Sequence, residues 1–219
     1  MTGTTGTTKH SLADLPAGAE PHGVTAQPAE IGGRRCVRVE LTDEITRHGS
    51  PGVDYVDQPT FLVVPAEFTT GTIAVDVWSR LNGKGPADAR AFAGLAYRIG
   101  DQRDTFESVY LRPLNGLKAD PPPPRDRRAI QYFSYPDWPF DRLRETYPDG
   151  RYEAGLDIGP EEWITLKLSV TADTMTATVN DSYALTVDRP LGSHPSGDIG
   201  LFVDIGTEAF FANLTVTAS

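Results

Sequence analysis

From residue 31 onward apolar and polar residues alternate with a period of two, the spacing of strands that bury one face and leave the other free. The first clear run sets Cys36, Arg38 and Glu40 against Val37, Val39 and Leu41. Thr60-Phe61-Leu62-Val63-Val64 follows a proline, and residues 72–79 put Ile73, Val75 and Val77 opposite Ala74, Asp76 and Trp78. In residues 91–99, Ala93, Leu95, Tyr97 and Ile99 oppose Phe92, Gly94, Ala96 and Arg98. Residues 106–112 set Glu107, Val109 and Leu111 against Ser108, Tyr110 and Arg112, and residues 129–135 set Ile130 and Tyr132 against Gln131, Phe133 and Tyr135. Shorter runs follow at 163–171, 174–180, 183–188, 199–205 and 210–217.

About ten short strands separated by turn residues predict an all-β, two-sheet antiparallel β-sandwich of the jelly-roll type. Asn180-Asp181-Ser182 has the chemistry of a tight hairpin. Residues 141–146 alone suggest a helical turn, and the stretch 117–128, with prolines at 121–124, is expected as an exposed loop because proline cannot serve a sheet ladder. Residues 1–30 are rich in Thr, Gly, Pro and Ala and are expected as an extended or partly disordered lead-in, with a single domain over 31–219.

Composition sharpens this picture. The 21 glycines and 18 prolines among 219 residues agree with many turns and few helices. A formal charge of -10 argues against a nucleic-acid surface, which needs a field of Lys and Arg. The single cysteine, Cys36, excludes an internal disulfide and has the setting of a small packing residue. No apolar run approaches the roughly 18 residues of a membrane span. The polar start Met1-Thr2-Gly3-Thr4-Thr5-Gly6 lacks a signal-peptide pattern, so the chain is expected to be cytoplasmic unless it is a trimmed secreted protein. No cofactor is implied. No Cys/His spacing suits zinc and the Asp-rich turns lack the alternating oxygen ligands of a calcium loop, so a structural calcium, with Asp198 or Asp204 contributing, is the lesser expectation beside a solvated acidic turn.

The apolar sets define an opposite face, which the jelly-roll expectation makes a concave groove. It would carry Asp76, Trp78, Arg98, Tyr110, Arg112, Gln131, Phe133, Tyr135 and Asp204, floored by Gly94 and Ala96. Arginines and a glutamine offer several donors to hydroxyls and carboxylates, and aromatic rings stack on sugars, so the face suits a carbohydrate or sugar-like molecule. Glu107 falls on the core side, where a carboxylate needs an arginine partner or a raised pKa, and a raised pKa would suit an acid.

Phe106-Glu107-Ser108-Val109-Tyr110-Leu111-Arg112-Pro113-Leu114-Asn115, then 129–132, Trp138, Leu143-Arg144-Glu145, Arg151-Tyr152-Glu153, Glu162-Trp163, 200–203 and 211–214 carry a resemblance. Over about 31–217 the chain resembles the concanavalin A-like lectin/glucanase superfamily, most closely the laminarinase-like domains associated with 3-keto-disaccharide hydrolases. The resemblance implies a jelly roll with a carbohydrate-related groove and adds Trp138 to the candidate contacts. It also has a gap: the Glu-x-Asp-x-x-Glu strand of laminarinase-type glycosidases is missing, and Glu153 and Asp157 do not replace it.

Jelly-roll polysaccharide lyases are similar in another way, through Arg, Gln and Tyr on adjacent strands. On that likeness Arg112 or Gln131 would neutralise a substrate carboxylate and Tyr110 would move the proton. Histidine does not join this face, since His10 and His22 lie in the lead-in and His48 and His194 in loops. The basic stretch Arg125-Asp126-Arg127-Arg128 reads as a solvated loop or as a cationic cover over an anionic ligand. Three functions are open: an enzyme that hydrolyses or eliminates a glycoside or sugar-like substrate with Tyr110, Arg112, Gln131 and Glu107 or Asp76; a non-catalytic lectin-like module; and an intracellular small-molecule, natural-product enzyme that reuses the fold.

Overall fold

The computed structural model describes residues 6–193 and 195–219. His194, expected in a loop, and the opening Met1–Thr5 lie outside the described residues.

The described chain runs through β1 (Gly6–His10), β2 (Glu20–His22), β3 (Val24–Ile31), β4 (Arg34–Leu41), α1 (Asp43–His48), β5 (Phe61–Phe68), β6 (Gly71–Leu81), β7 (Ala93–Ile99) and β8 (Phe106–Leu111). It continues with β9 (Ile130–Tyr135), α2 (Phe140–Thr146), β10 (Glu153–Ala154), β11 (Ile164–Val170), β12 (Thr174–Val179), β13 (Ser182–Asp188), β14 (Gly197–Val203) and β15 (Thr207–Ala218). Two antiparallel sheets form a sandwich. The first has the order β13-β12-β11-β6-β15-β4-β3, with β1 beside β15, and the second the order β10-β9-β8-β7-β14-β5-β2.

Register lines up the inward rows. Leu95 lies opposite Val109, Val109 opposite Tyr132, and Leu201 opposite both Leu95 and Leu62. In the facing sheet Val77 pairs with Ile164 and Phe211, and Phe211 with Val37. These side chains are excluded from solvent, each contributing on the order of 1.5–3 kcal/mol of hydrophobic stabilisation. At the β12–β13 hairpin both central residues are left-handed, Asn180 at φ 49° and Asp181 at φ 60°, the geometry that the sequence called for. No helix among the described residues is long and apolar enough to cross a membrane.

The lead-in needs correction. From Gly6 it contributes three strands to the sandwich: β1 pairs with the closing strand β15, β2 edges the second sheet, and β3 pairs along its whole length with β4. Leu12 and Val24 are buried anchors within this polar stretch. Edge strands that keep one face in solvent need few apolar residues, which is why composition read as a tail. Helix α1 was likewise unforeseen, although Thr42 caps it by accepting the Ile45 amide and Asp43 and Glu44 occupy its first turn. The stretch 117–128 stays outside both sheets as expected and folds as short helical turns.

Candidate functional site

The expected open groove is filled. On the outer face of the second sheet Phe61, Phe106, Phe133, Tyr110 and Phe202 form an aromatic layer, with ring centroids 5.1 Å apart for Phe61–Phe106, 5.6 Å for Phe106–Phe133 and 5.7 Å for Tyr110–Phe133, all edge-to-face. Residues 49–60 and α2 lie across this layer and are tied together where Asp57 accepts the Phe140 amide at 2.6 Å. The sheet thus has an apolar core on each side. What remains open is a cavity of about 440 Å³ at one end, where β8 runs out into Arg112 and β14 into Asp204 and Ile205.

Each wall has a local cause. Tyr110 sits opposite Gly94, where an added Cβ would lie 2.5 Å from the Tyr110 Cα, so only glycine lets β7 and β8 approach this closely. The Tyr110 hydroxyl accepts from Arg112 Nη2 at 2.6 Å. The Arg112 guanidinium lies over the Phe140 ring at 5.3 Å, and Arg144 lies over the same ring at 4.7 Å. Glu153, on the edge strand β10, gathers three cations: Arg112 at 3.5 Å, Arg128 at 3.0 Å and Arg144 at 2.7 Å. Phe92, Asn115, Arg90 and Arg125 complete the walls used below.

The floor is acidic and strained. Val56 and Asp57 both have positive φ, 69° and 58°, and for a β-branched valine this is a disfavoured conformation that surrounding structure must hold. Asp204 holds it: its carboxylate accepts the amides of Val56 at 2.9 Å, Asp57 at 3.0 Å and Ile205 at 2.7 Å. Burial raises the pKa of Asp204, with those amides and Arg112 pulling it back. Asp57 is pushed up to about 7, first by burial and then by Asp204, against the Phe140 amide, Arg112 and Tyr110. Its second oxygen, Oδ1, is buried without a hydrogen-bond partner among the described residues, and so is Asn115 Oδ1 in the same wall. Buried polar atoms left unpaired are rare in folded proteins, and here both belong to residues that line the cavity.

Of the residues expected on the groove, the structure brings together Tyr110, Arg112 and Asp204. Burial holds the Tyr110 phenol well above its ordinary pKa despite Arg112, so it stays protonated and makes a poor base. Arg112 keeps its charge, since Tyr110, Asp57 and Glu153 outweigh its burial. Gln131 lies beside Tyr110 in register, but its amide donates to the Tyr132 and Tyr152 carbonyls beneath α2, away from the cavity. Phe133 is buried in the aromatic layer, Tyr135 stacks on Phe106 at 5.2 Å, and Trp138 packs on Tyr147 at 6.0 Å. None of these lines the cavity.

Three candidates lie elsewhere altogether. Asp76 and Trp78 are on the outer face of the first sheet, because alternation along β6 gives a side chain's face and not the sheet that its strand joins. There Asp76 pairs with Arg34 and accepts from Thr165 at 2.6 Å, while Trp78 packs edge-to-face on Phe210 at 5.4 Å beside buried Cys36. Arg98 is turned inward. A bulge sets Tyr97 and Arg98 against the one residue Ile199, and Arg98, at φ 52°, swings to the core side. It meets Glu107 at 2.9 Å, and Tyr132 donates to the other Glu107 oxygen, so Glu107 is partnered in the core and remote from the cavity.

Among the described residues no group of three or more His, Cys, Asp or Glu side chains is placed to hold a metal ion. Of the aspartates considered for calcium, Asp204 is engaged as above and Asp198 accepts the Ala66 amide at 3.1 Å and faces Arg103 at 3.4 Å.

Sequence reasoning missed Asp57, Asn115, Arg90 and Phe140 because they sit on loops or at a helix start, where period-two patterning carries no signal; Phe92 fell on the groove face of its alternating run and was not singled out. Asp57-Gln58-Pro59 has turn composition and nothing that marks an acid.

The sequence matches no protein-family model and no curated protein. In three dimensions the chain is similar to a Bacillus subtilis protein of unknown function with a galectin-like fold, at 10% identity and TM-score 0.54, over 96% of this chain and 94% of that one. It is also similar to domain 4 of AbnA, an extracellular arabinanase from Geobacillus stearothermophilus solved with arabinotriose, at 10% identity and TM-score 0.52, over 96% and 91% of the two chains. At this identity the likeness concerns the fold alone, a two-sheet β-sandwich of the galectin-like, jelly-roll kind.

Proposed function

We propose that the chain is an acid–base enzyme for a small sugar-like substrate, with Asp57 moving the proton. The observation that carries this reading is the Asp57 carboxyl itself, buried at the cavity wall, pushed up to about 7 by burial and Asp204, with Oδ1 lacking a hydrogen-bond partner among the described residues. A carboxyl poised near neutrality can release and recover a proton within one turnover. Phe92 adds an aromatic side chain to the wall for a sugar to pack against, and Arg112 supplies fixed positive charge for an oxyanion. A cavity of about 440 Å³ suits a small molecule better than a polysaccharide.

Elimination suits this residue set better than hydrolysis by paired carboxylates, because both Asp204 oxygens are taken up by backbone amides. The resemblance to domains associated with 3-keto-disaccharide hydrolases supplies a concrete substrate. In a 3-keto sugar the carbonyl acidifies the C2–H, and the glycosidic oxygen leaves from the neighbouring carbon. Asp57 would take the C2 proton, Arg112 would face the enolate, and the departing alkoxide would recover a proton as the C1–O bond breaks. The products are an enone and a free sugar, with no oxidant needed.

A second reading, a sugar-binding module without turnover, draws support from the fold likeness to the arabinanase domain solved with arabinotriose. One experiment separates them. Wild type and Asp57→Asn are incubated with a 3-keto-disaccharide and its unoxidised parent, and products are followed by mass spectrometry. Turnover of the keto form that Asp57→Asn abolishes while still binding supports the enzyme. Unchanged turnover in Asp57→Asn refutes the role of Asp57, and binding with no product leaves the binding module.

A further inference from the structure

We infer that the cavity mouth recognises a negatively charged group on the substrate, a phosphate or a carboxylate, held between Arg90 and Arg125. The inference rests on the reading that a sugar-like molecule enters this cavity, and adds to it the ligand's charge and the residues that select it.

Five arginines line the cavity of a chain whose formal charge is -10, so the positive charge is concentrated here against the overall balance. Three of them, Arg112, Arg128 and Arg144, share the Glu153 carboxylate as an ion-pair partner. The remaining two form no ion pair among the described residues, although Asp88 lines the same cavity near Arg90. Arg90, on the loop between β6 and β7, donates to the carbonyls of Ala89 at 2.6 Å and Ala87 at 2.9 Å, with no carboxylate paired to it among the described residues. Arg125 opens a short helical turn in the loop between β8 and β9, and its side chain has no hydrogen-bond or ion-pair partner among the described residues. The two come from separate loops, so no local sequence constraint explains why like charges converge. Their mutual repulsion is felt: burial and then Arg125 lower the Arg90 pKa, against Asp88.

Two guanidinium groups without an ion-pair partner, lining a partly apolar cavity, are an arrangement that a bound anion stabilises. Guanidinium forks match phosphate and carboxylate oxygens with paired, charge-assisted bonds. Deeper in, Asn115 and Asp57 line the cavity, each with one buried side-chain oxygen that has no hydrogen-bond partner among the described residues. The cavity is therefore polarised, with a cationic mouth and acceptors inside, which fits a sugar that bears its charge at one end.

The test uses the Asp57→Asn protein, so that no turnover confounds binding, and titrates it calorimetrically with a hexose phosphate, a hexuronate, the neutral hexose and inorganic phosphate. An anionic sugar should bind at least about tenfold more tightly than the neutral one, with the preference shrinking as salt rises. Arg125→Gln should erase most of that preference and leave neutral-sugar binding unchanged, and Arg125→Lys should restore part of it. Because the Arg125 side chain has no described partner to lose, this variant should fold as the parent does; Arg90→Gln, checked by its melting temperature, is the second arm. The tighter of the phosphate and uronate arms identifies the anion. Equal binding of charged and neutral sugars, or no effect of either substitution, overturns this inference and spares the sugar reading. Binding of inorganic phosphate without any sugar does the reverse, and absence of all binding overturns both.

Discussion

Asp204 holds the Asp57 amide at 3.0 Å, so the residue that fixes the backbone of Asp57 also crowds its carboxyl with negative charge. Positioning and pKa tuning come from one contact. The Val56 amide on the other Asp204 oxygen secures the left-handed pair of residues that aims Asp57 at the cavity wall.

The raised Asp57 pKa makes stability depend on pH. The folded state holds this proton more tightly than the unfolded chain, so the contribution is fully present below the ordinary value of 3.8 and is lost as pH rises to about 7. The groups facing Asp57 are Asp204, Arg112, Tyr110 and the Phe140 amide. Across that window the loss amounts to as much as about 4 kcal/mol. Asp57→Asn should flatten this slope in urea unfolding between pH 4 and 8 and be the more stable protein at pH 8. If the proposed function holds, it should also lower kcat by roughly 10²–10⁴.

Glu153 is the shared ion-pair partner of three arginines, and Glu153→Gln should leave them repelling one another without it. A stability loss of about 3–5 kcal/mol is expected. Added phosphate or sulfate should raise the melting temperature of the variant by more than that of wild type, since an external anion can take the vacated role.

Arg98 and Trp78 test the corrected placements. Arg98→Met strands the buried Glu107 and should cost about 3–5 kcal/mol by chemical denaturation, with ligand affinity of the folded protein unchanged. Trp78→Phe, on the far sheet, should likewise leave affinity unchanged.

Gly94→Ala would place a Cβ 2.3 Å from the Val109 carbonyl oxygen, a backbone atom that cannot rotate away. A cost of about 1–3 kcal/mol follows from forced strand separation. Because Tyr110 is the residue displaced, weaker ligand binding should accompany the loss, read by calorimetry alongside thermal melting.

Much of the fold was legible because a half-buried strand imposes its period on the sequence. Tyr97 and Val109 could be assigned to the core from alternation, and the Asn180-Asp181 hairpin from its turn chemistry. The same logic misled at Arg98, where one bulge reverses parity, and at Asp76 and Trp78, where the face was right and the sheet was not. Glu107 shows a partial success, since the need for an arginine partner was readable and its identity was not.

The sequence by itself determined the sandwich, the aromatic and arginine-rich character of one sheet, and the lack of the usual glucanase carboxylates. Only the tertiary structure decided that the groove is filled and that a cavity remains at its end. It also decided that Asp57 sits in that cavity with a shifted pKa. The physical reason is range. Alternation is a contact between neighbours along one strand, whereas burial and charge at Asp57 are set by Asp204, Arg112 and Phe140, drawn together from segments far apart in the chain.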